Sequence, residues 1–546
     1  MAETRSERSG MEAMASLARH GLSLVHGPSQ PGIIEKTFGQ LLREQASQHP
    51  KDLLVASEHQ NKSFTYSEMN SRTDDLARGL LEIGVQRGQP VAILMGNEIE
   101  YIETFFACTK IGCPIALANY GYTEDEFVSV LRSCKTSALI MIPGFDKYHF
   151  RSWLPNIKVN IPSVKNIIMV HGDQGDFKFA LPYDKVIERG SRSSIDLIQH
   201  GETLIPTDIM NLQFTSGSTG LPKASALTHR GIMNAGRFIG DTMYLKASDR
   251  ICLPVPLFHS FGLIIGLATV SVHGASIILP SNKFDAKATL ACIPKYRCTG
   301  LYGVTTMFVT LMSLPDFKNY DCNSLRFAII AGSAVPEDLM RKVWAGFGIT
   351  QTHTNWGLTE SSSICTMTKD TDSIPKRTVT SGRLFPGFSA KIVDPVTTAA
   401  VPRGEQGEIV LRGYGIQKCY YANEKKTIEA HRKSIEDGLI WFHTGDKGYI
   451  DADGYFVITG RIKDMIIRGG ENIAPLEIEE RLTAHPAIAQ SSVIGYPDER
   501  YGEAVCAFVE QSTSTTDAAR PSDEELRAWS ILQILAKDSE REVEKA

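Results

Sequence analysis

Hydrophobic positions in the first quarter of the chain alternate between helical and strand spacing. Leucine and isoleucine recur within residues 76–83 at the three-to-four-residue interval of a helix, whereas residues 91–94 form a short apolar run that predicts a strand. Residues 99–111 again have helical spacing, and a second short strand is expected at 114–117. Elements that alternate in this way predict an α/β fold with helices on both faces of a sheet.

The later part of the chain predicts strands that end in polar loops, and then a region with more strands than helices. Three apolar runs predict such strands: residues 209–214, 251–256 and 325–330. Residues 404–446 are rich in glycine and strand formers, which is typical of a small β-rich subdomain. A highly polar connection begins at Arg461.

Length and composition restrict the class of protein. A chain of 546 residues is too long for one ordinary hydrophobic core, so two or more domains are expected. The net charge of -5 gives no electrostatic reason to expect a nucleic-acid partner. The ten cysteines form no C-x-x-C pair, so neither a zinc site nor a disulfide framework is indicated.

We expect a cytoplasmic protein. Free thiols in this number fit a reducing compartment. The first thirty residues lack the apolar core of a signal peptide, and no apolar run approaches the roughly 20 residues of a membrane span. The final residues, Glu544 to Ala546, do not match the S-K-L type of peroxisomal signal.

The segment from Thr215 to Lys223 carries the strongest chemical signal. It reads Thr-Ser-Gly-Ser-Thr-Gly-Leu-Pro-Lys, and glycines, hydroxyls and one lysine together suit the binding of a polyphosphate. A flexible surface turn is the commoner meaning of such composition. The P-loop template does not fit, because Leu221 and Pro222 separate Gly220 from the lysine.

Residues 355–361, Asn-Trp-Gly-Leu-Thr-Glu-Ser, form a second candidate site segment. The indole of Trp356 beside Gly357 offers a stacking face for a purine, and Thr359 and Glu360 offer the oxygen ligands that Mg²⁺ prefers. The alternative is that Trp356 belongs to the core and Glu360 is a solvated carboxylate.

The segment 215–223 resembles the signature of the adenylate-forming superfamily, which includes acyl-CoA synthetases, luciferases and the adenylation domains of peptide synthetases. The resemblance runs in order from about Phe38 to Glu510. It implies binding sites for ATP, Mg²⁺ and coenzyme A. In these terms the phosphate loop comprises Thr215, Ser216, Gly217, Ser218, Thr219, Gly220 and Lys223, and the adenine site comprises Gly332, Ser333, Ala334, Asn355, Trp356 and Gly357.

The resemblance assigns further roles along the chain. Asp446 and Arg461 would contact the ribose, and Thr359 and Glu360 would bind the metal. His259 would lie at the carboxylate end of the acyl pocket, although a histidine between aromatic residues is more often a packed core residue. Lys463 would be the hinge between the large and the small domain. Gly469, Gly470 and Glu471 would form the loop used in the second half-reaction.

The resemblance also predicts the domain organisation. We expect an N-terminal extension at 1–35 and a large AMP-binding domain at 36–460. The large domain would consist of βα-layered sheets and a small β-rich subdomain. A small, truncated α+β domain would follow at 461–546. Relatives carry a lysine in a glycine-lysine pair near the end of the small domain, and Lys537 and Lys545 have no such context. Slow adenylation is therefore expected.

We therefore predict an acyl-CoA synthetase. It would activate a carboxylic acid with ATP and transfer the acyl group to coenzyme A, with a medium- or long-chain fatty acid or a similar hydrophobic acid as the leading substrate class. An aryl-acid CoA ligase and a catalytically impaired nucleotide-binding homologue remain as alternatives, and a P-loop NTPase is disfavoured by Pro222.

Overall fold

Five sheets organise the protein in the computed structural model. The structure describes residues 21–171, 177–215, 222–331, 335, 337–349, 351–468, 471–498, 502–511 and 521–529. The predicted α/β class is confirmed, with a large N-terminal and a small C-terminal part. Among the described helices, none combines the length and the apolar character that a membrane crossing requires.

The first large sheet has eight strands, of which six consecutive ones are parallel. The two strands at one edge run antiparallel to their neighbours. In spatial order the strands are Cys419–Tyr420, Lys223–Thr228, Ile209–Thr215, Ile115–Leu117, Val91–Leu94, Ala138–Met141, Asn166–Met169 and Ala180–Pro182.

The second large sheet has seven strands and the same parallel character, with one antiparallel edge strand. Its spatial order is Gln351–His353, Phe327–Ile330, Gly300–Gly303, Arg250–Cys252, Ser276–Leu279, Leu53–Ser57 and Lys62–Thr65. The strand predicted at 251–256 is therefore too long. Pro254 and Pro256 lack the N–H group that a central strand must donate, so pairing ends at Cys252.

The other three sheets are smaller. A six-stranded sheet contains Leu24–His26, Phe388–Val393, Gly407–Gly413, Ile440–Ile450, His431–Lys433 and Phe456–Arg461, and a three-stranded sheet contains Asn355–Trp356, Thr366–Met367 and Arg383–Leu384. Most strands of the predicted β-rich region at 404–446 thus belong to the six-stranded sheet, while Cys419–Tyr420 is the edge strand of the eight-stranded sheet. A four-stranded sheet follows in the chain, with strands Glu471–Ile473, Ile466–Arg468, Gly502–Gln511 and Ile488–Asp498.

Helices cover the parallel sheets, as the sequence pattern predicts. The α-helices are Phe38–Gln48, Tyr66–Glu82, Ile99–Ile111, Glu124–Ser133, Leu154–Asn160, Tyr183–Ser191, Leu197–Glu202, His229–Thr242, Thr269–His273, Ala286–Tyr296, Thr305–Met312, Glu337–Phe347, Ile374–Val379, Glu424–Ala430, Pro475–Thr483 and 523–529. Short 3₁₀ turns lie at Phe150–Trp153, Phe317–Asn319, Thr359–Ser361 and Ile462–Asp464, and a π-helix spans Phe261–Ala268.

Local sequence explains where several helices begin. Thr65 caps the helix Tyr66–Glu82 by accepting a hydrogen bond from the Glu68 N–H, while the Glu68 carboxylate accepts one from the Thr65 N–H. The same reciprocal arrangement starts two other helices, at Thr37 and Thr123. Since these caps use residues three positions apart, the sequence alone is enough to specify them.

The C-terminal sheet has a separate hydrophobic core. Ile466, Ile488 and Val493 of the sheet pack with Leu482 and with Leu526 of the helix 523–529. The Trp529 indole N–H also donates to the Arg481 carbonyl oxygen at 3.0 Å. The chain up to residue 529 therefore contributes to a packed unit of its own.

A buried charge network joins the two large sheets. Glu98, at the start of helix Ile99–Ile111, has a side chain that is almost fully buried and lies 3.4 Å from His171 Nε2 and 3.8 Å from His59 Nε2. Nearby, Glu100 accepts a hydrogen bond from Gln60 at 2.7 Å and pairs with Lys62 at 3.0 Å. These contacts connect a hairpin of one sheet to the strand ends of the other.

The network predicts how stability depends on pH. Burial alone would raise the pKa of Glu98, but the hydrogen bonds and charges of His171 and His59 outweigh it and lower that pKa to about 2. The stabilisation is therefore complete above the ordinary carboxyl range and is lost as pH falls from there towards 2. The hydrogen bond to Glu98 raises the pKa of His171, so the contribution of His171 is lost as pH rises through that value.

We expect Glu98→Gln to lower the free energy of unfolding at pH 7 by up to about 3 kcal/mol, with the deficit shrinking below pH 4.5. Urea unfolding followed by circular dichroism at pH 7 and at pH 3 measures both values. Glu405→Gln, at an exposed carboxylate, is the matched control. A deficit that stays the same at the two pH values would contradict the role of the Glu98 charge.

Candidate active site

The predicted site segments lie where strands of the two large sheets end. The phosphate segment follows strand Ile209–Thr215, and the adenine segment follows strand Phe327–Ile330. The segment with Glu360 follows strand Gln351–His353. In parallel sheets, ligands bind beyond the carboxyl ends of the strands. Ser216 to Gly220 and Gly332 to Ala334 lie outside the described residues, whereas the strands that lead into them are described.

The phosphate segment connects two antiparallel strands. Thr215 and Lys223 are direct partners in the register, so the segment closes a hairpin and Lys223 opens the second strand. A P-loop lysine opens a helix instead. The geometry therefore argues against the P-loop alternative.

Lys223 and Glu360 are brought together through a tyrosine that the sequence did not indicate. The Tyr420 hydroxyl donates to Glu360 Oε1 at 2.8 Å, and the Lys223 ammonium lies 5.5 Å from the centre of the Tyr420 ring. Tyr420 is in the edge strand that pairs with Lys223–Thr228, opposite Ser225. That pairing joins residues almost two hundred positions apart, so no local pattern could have revealed it.

Trp356 is a core residue with a polar contact. Its ring is buried and stacks on Phe456 with centroids 6.1 Å apart and an interplanar angle of 14°. The indole N–H donates to Asp446 Oδ2 at 2.9 Å. On the side that faces Phe456, Trp356 therefore packs as a core residue. Its N–H group contacts Asp446, which is itself a candidate nucleotide-binding residue.

Asp446 and Arg461 form an ion pair beside Trp356. They are register partners on adjacent strands, and Arg461 Nε lies 3.1 Å from Asp446 Oδ1. Burial raises the pKa of Asp446, although the charge of Arg461 and the Trp356 hydrogen bond act in the opposite direction. The structure thus brings these two candidate ribose-binding residues together.

The two neighbours of Trp356 have different environments. Asn355 Nδ2 is inaccessible to solvent and finds no hydrogen-bond partner among the residues that the structure describes. A Cβ atom at Gly357 would lie 2.3 Å from the Ser363 carbonyl oxygen, so only glycine fits there. The segment thus combines an unused donor with a backbone packed too closely for a side chain.

His259 has a defined hydrogen-bonding state. The Phe261 N–H donates to His259 Nδ1 at 3.1 Å, so the neutral ring carries its hydrogen on Nε2. Desolvation of the imidazole lowers the pKa of this histidine, which favours that neutral form, although the residue keeps exposed surface. The ring is accessible to solvent and stands just before the wholly apolar π-helix Phe261–Ala268, so it is not a packed core residue.

The candidate hinge lies between two sheets. Lys463 is exposed in the turn Ile462–Asp464, which links the last strand of the six-stranded sheet to the first strand of the four-stranded sheet. Gly469 and Gly470 lie outside the described residues. Glu471 begins the strand Glu471–Ile473, which pairs with Ile466–Arg468.

Comparison with known proteins identifies the family of this chain. The profile of the AMP-binding enzyme family matches residues 42–421, and that of the AMP-binding enzyme C-terminal domain matches residues 477–536. The chain belongs to the AMP-binding enzyme family. It is an ATP-dependent, adenylate-forming acid–thiol ligase that acts on a small-molecule acid, with coenzyme A as co-substrate.

Known acyl-CoA ligases match this chain over most of its length. It is 42% identical over 514 residues to the acyl-CoA ligase SID4 of Ajellomyces capsulatus, which covers 93% of this chain and 86% of the relative. It is 34% identical over 504 residues to the mitochondrial medium-chain acyl-CoA ligase ACSF2 of Danio rerio, covering 89% of this chain and 82% of the relative. These matches support acyl-CoA synthetase activity over an impaired homologue.

Solved structures of the family share the fold. The anthranilate CoA ligase AuaEII in complex with anthranoyl-AMP superposes with a TM-score of 0.78 at 25% identity, covering 91% of this chain and 90% of that one. A fatty acyl CoA synthetase of Mycobacterium tuberculosis gives 0.69 at 25% identity, covering 90% and 91%.

We expect Trp356→Phe to lower the free energy of unfolding by about 1.5–3 kcal/mol, because the buried Asp446 carboxylate loses a hydrogen-bond donor while the stacked ring is kept. Trp344→Phe is the matched control. Its indole donates to the neutral hydroxyl of Thr352 at 2.8 Å, so a loss of about 0.5–1.5 kcal/mol is expected. Chemical unfolding of both variants measures the difference, and equal losses would contradict a charge-assisted bond at Trp356.

Proposed function

We propose that the acid is a medium- or long-chain fatty acid or a similar hydrophobic carboxylic acid. The observation that carries this proposal is the position of His259, a neutral donor at the start of the apolar π-helix Phe261–Ala268. Its Nε2–H can bond the carboxylate while the apolar segment lies alongside the hydrocarbon part. A relative with 34% identity that is named a medium-chain acyl-CoA ligase supports the same class.

The first step joins the acid to ATP. The carboxylate oxygen attacks the α-phosphorus, the bond to the β-phosphate bridging oxygen breaks, and acyl-AMP and pyrophosphate are formed. Lys223 stands at the end of the hairpin that carries the phosphate segment, so its ammonium would bind the β- and γ-phosphates. Positive charge there stabilises the leaving pyrophosphate.

Thr359 and Glu360 fit a Mg²⁺ ion. They follow each other in the turn Thr359–Ser361, and both supply the oxygen ligands that this ion takes. Within the described residues, Glu360 Oε1 accepts the Tyr420 bond and Oε2 accepts none, so one oxygen is left for a metal. A bound Mg²⁺ would neutralise charge on the phosphates, and Glu360 would hold it beside Lys223.

Residues around Trp356 would bind the ribose and the adenine of the nucleotide. Asp446 would accept hydrogen bonds from the ribose hydroxyls, with Arg461 beside it as a further contact. Asn355 Nδ2, a buried donor without a partner among the described residues, would donate to the adenine ring. The face of Trp356 that points away from Phe456 would lie against the purine, since Phe456 covers the other face.

The second step transfers the acyl group. The thiol of coenzyme A attacks the carbonyl carbon of acyl-AMP, and AMP leaves with the bonding electron pair. We infer that the large domain ends near residue 460 and that Lys463 is the hinge for this step, because its turn links two sheets with separate cores. The thiolation role of Gly469, Gly470 and Glu471 stays a prediction. The prediction that the adenylating lysine of the family is missing concerns Lys537 and Lys545, which lie outside the described residues.

We place the protein in the cytoplasm or a similarly reducing compartment. All ten cysteines lie in the described residues as free thiols, and eight of them are buried. Thiols in this number persist where disulfides are kept reduced.

A pyrophosphate-exchange assay with a panel of acids tests the substrate class. We expect exchange to depend on added acid and to be fastest with medium- or long-chain aliphatic acids, because His259 anchors the carboxylate beside an apolar helix. The rate of labelled pyrophosphate incorporation into ATP is measured for aliphatic acids of increasing length and for benzoate and anthranilate. Exchange with the aryl acids alone would replace the proposal with an aryl-acid ligase.

We expect Glu360→Gln to slow acid-dependent exchange by about 10²-fold and to leave the melting temperature within a few degrees of the wild type. The amide can still accept the Tyr420 bond but lacks the charge that a Mg²⁺ ligand supplies. Glu424→Gln, an exposed carboxylate in the helix that follows Tyr420, is the control. Unchanged exchange in Glu360→Gln would remove Glu360 from the site.

A further inference from the structure

Tyr420 is held firmly at the junction of three site elements. Its own N–H donates to Thr427 Oγ1 at 3.0 Å, and the next residue, Tyr421, donates its N–H to the Ala224 carbonyl oxygen at 2.8 Å. A few residues earlier, the Gln417 N–H donates to the Glu360 carbonyl oxygen at 2.7 Å. The segment that carries Tyr420 therefore contacts both the Lys223 strand and the Glu360 turn through its backbone.

The side chain of Tyr420 repeats these two contacts. The hydroxyl donates to Glu360 Oε1 at 2.8 Å, and the ring face lies under the Lys223 ammonium at 5.5 Å. The phenol is largely buried.

We propose that Tyr420 is a positioning residue for adenylation, which orients the Glu360 carboxylate for the metal and holds the Lys223 ammonium towards the phosphates. This inference rests on the proposed function of those two residues. A hydrogen bond to Oε1 fixes the rotation of the carboxylate and leaves Oε2 without a donor among the described residues. An ammonium over a ring face is attracted by the ring quadrupole, which restricts a long and flexible side chain.

The two contacts can be separated by substitution. Tyr420→Phe removes the hydroxyl and keeps the ring, whereas Tyr420→Ala removes both. Tyr421→Phe is the matched control, because the neighbouring side chain packs against the hydrophobic core and lies near Cys134 instead of the site.

Binding of Mn²⁺ to the ATP complex, followed by the electron paramagnetic resonance signal of free Mn²⁺, tests the first contact without any acid. We expect Tyr420→Phe to weaken Mn²⁺ binding by about 10-fold, because residues that orient a metal ligand typically contribute 10–100-fold to metal affinity. Tyr421→Phe should match the wild type. In the double variant Tyr420→Phe with Glu360→Gln, the loss should equal that of Glu360→Gln alone.

Calorimetric titration with ATP in the presence of EDTA tests the second contact. We expect the dissociation constant to be unchanged in Tyr420→Phe and raised by about 2- to 5-fold in Tyr420→Ala, since only the latter removes the ring under Lys223. If Tyr420→Ala does not fold, the Mn²⁺ measurement on Tyr420→Phe decides the proposal.

Wild-type Mn²⁺ affinity in a folded Tyr420→Phe would overturn the proposal, as would additive losses in the double variant. Absence of Mn²⁺ binding by the wild-type ATP complex would overturn it too. These readouts contain no acid, so failure of the substrate proposal is recognised separately: the wild type would then bind Mn²⁺ and ATP normally and show no exchange with aliphatic acids.

Discussion

The antiparallel pairing at one edge of the eight-stranded sheet is the interaction on which the active site depends. Strand Ile209–Thr215 pairs with Lys223–Thr228, which pairs in turn with Cys419–Tyr420. The first pairing closes the phosphate segment into a hairpin, and the second brings in Tyr420, which bonds Glu360. Backbone hydrogen bonds fix both registers and therefore the position of Tyr420 relative to the Lys223 strand, and the Tyr420 hydroxyl connects Glu360 to this edge of the sheet.

Burial of charge is the second constraint on the structure. Glu98 and Asp446 both lie where solvent is almost excluded, and such carboxylates need a donor or a cation nearby. The Glu98 carboxylate lies beside His59 and His171 and contributes to the contact between the two large sheets. Asp446 accepts a hydrogen bond from Trp356 and pairs with the cation Arg461, so its buried carboxylate is stabilised at the candidate nucleotide site. The same physical requirement thus serves stability in one place and binding in the other.

Much of the fold could be predicted from the sequence, since its causes are local. The hydrophobic spacing at 99–111 gave the helix Ile99–Ile111, and the cap at Thr65 lies within four residues of its partner. The exception is the strand predicted at 251–256, which stops at Cys252 because two prolines cannot donate. The roles of the loops 216–220 and 332–334 stay predictions.

The sequence by itself determined the α/β class, the order of the site segments and their chemical types, because apolar periodicity and residue chemistry are properties of short stretches. Only the tertiary structure decided that Tyr420 lies between Lys223 and Glu360 and that Trp356 donates to Asp446. The hydrogen bonds of Tyr420 to Glu360 and of Trp356 to Asp446 join residues 60 and 90 positions apart. They exist because strand pairing and packing bring distant segments together, which no local pattern encodes.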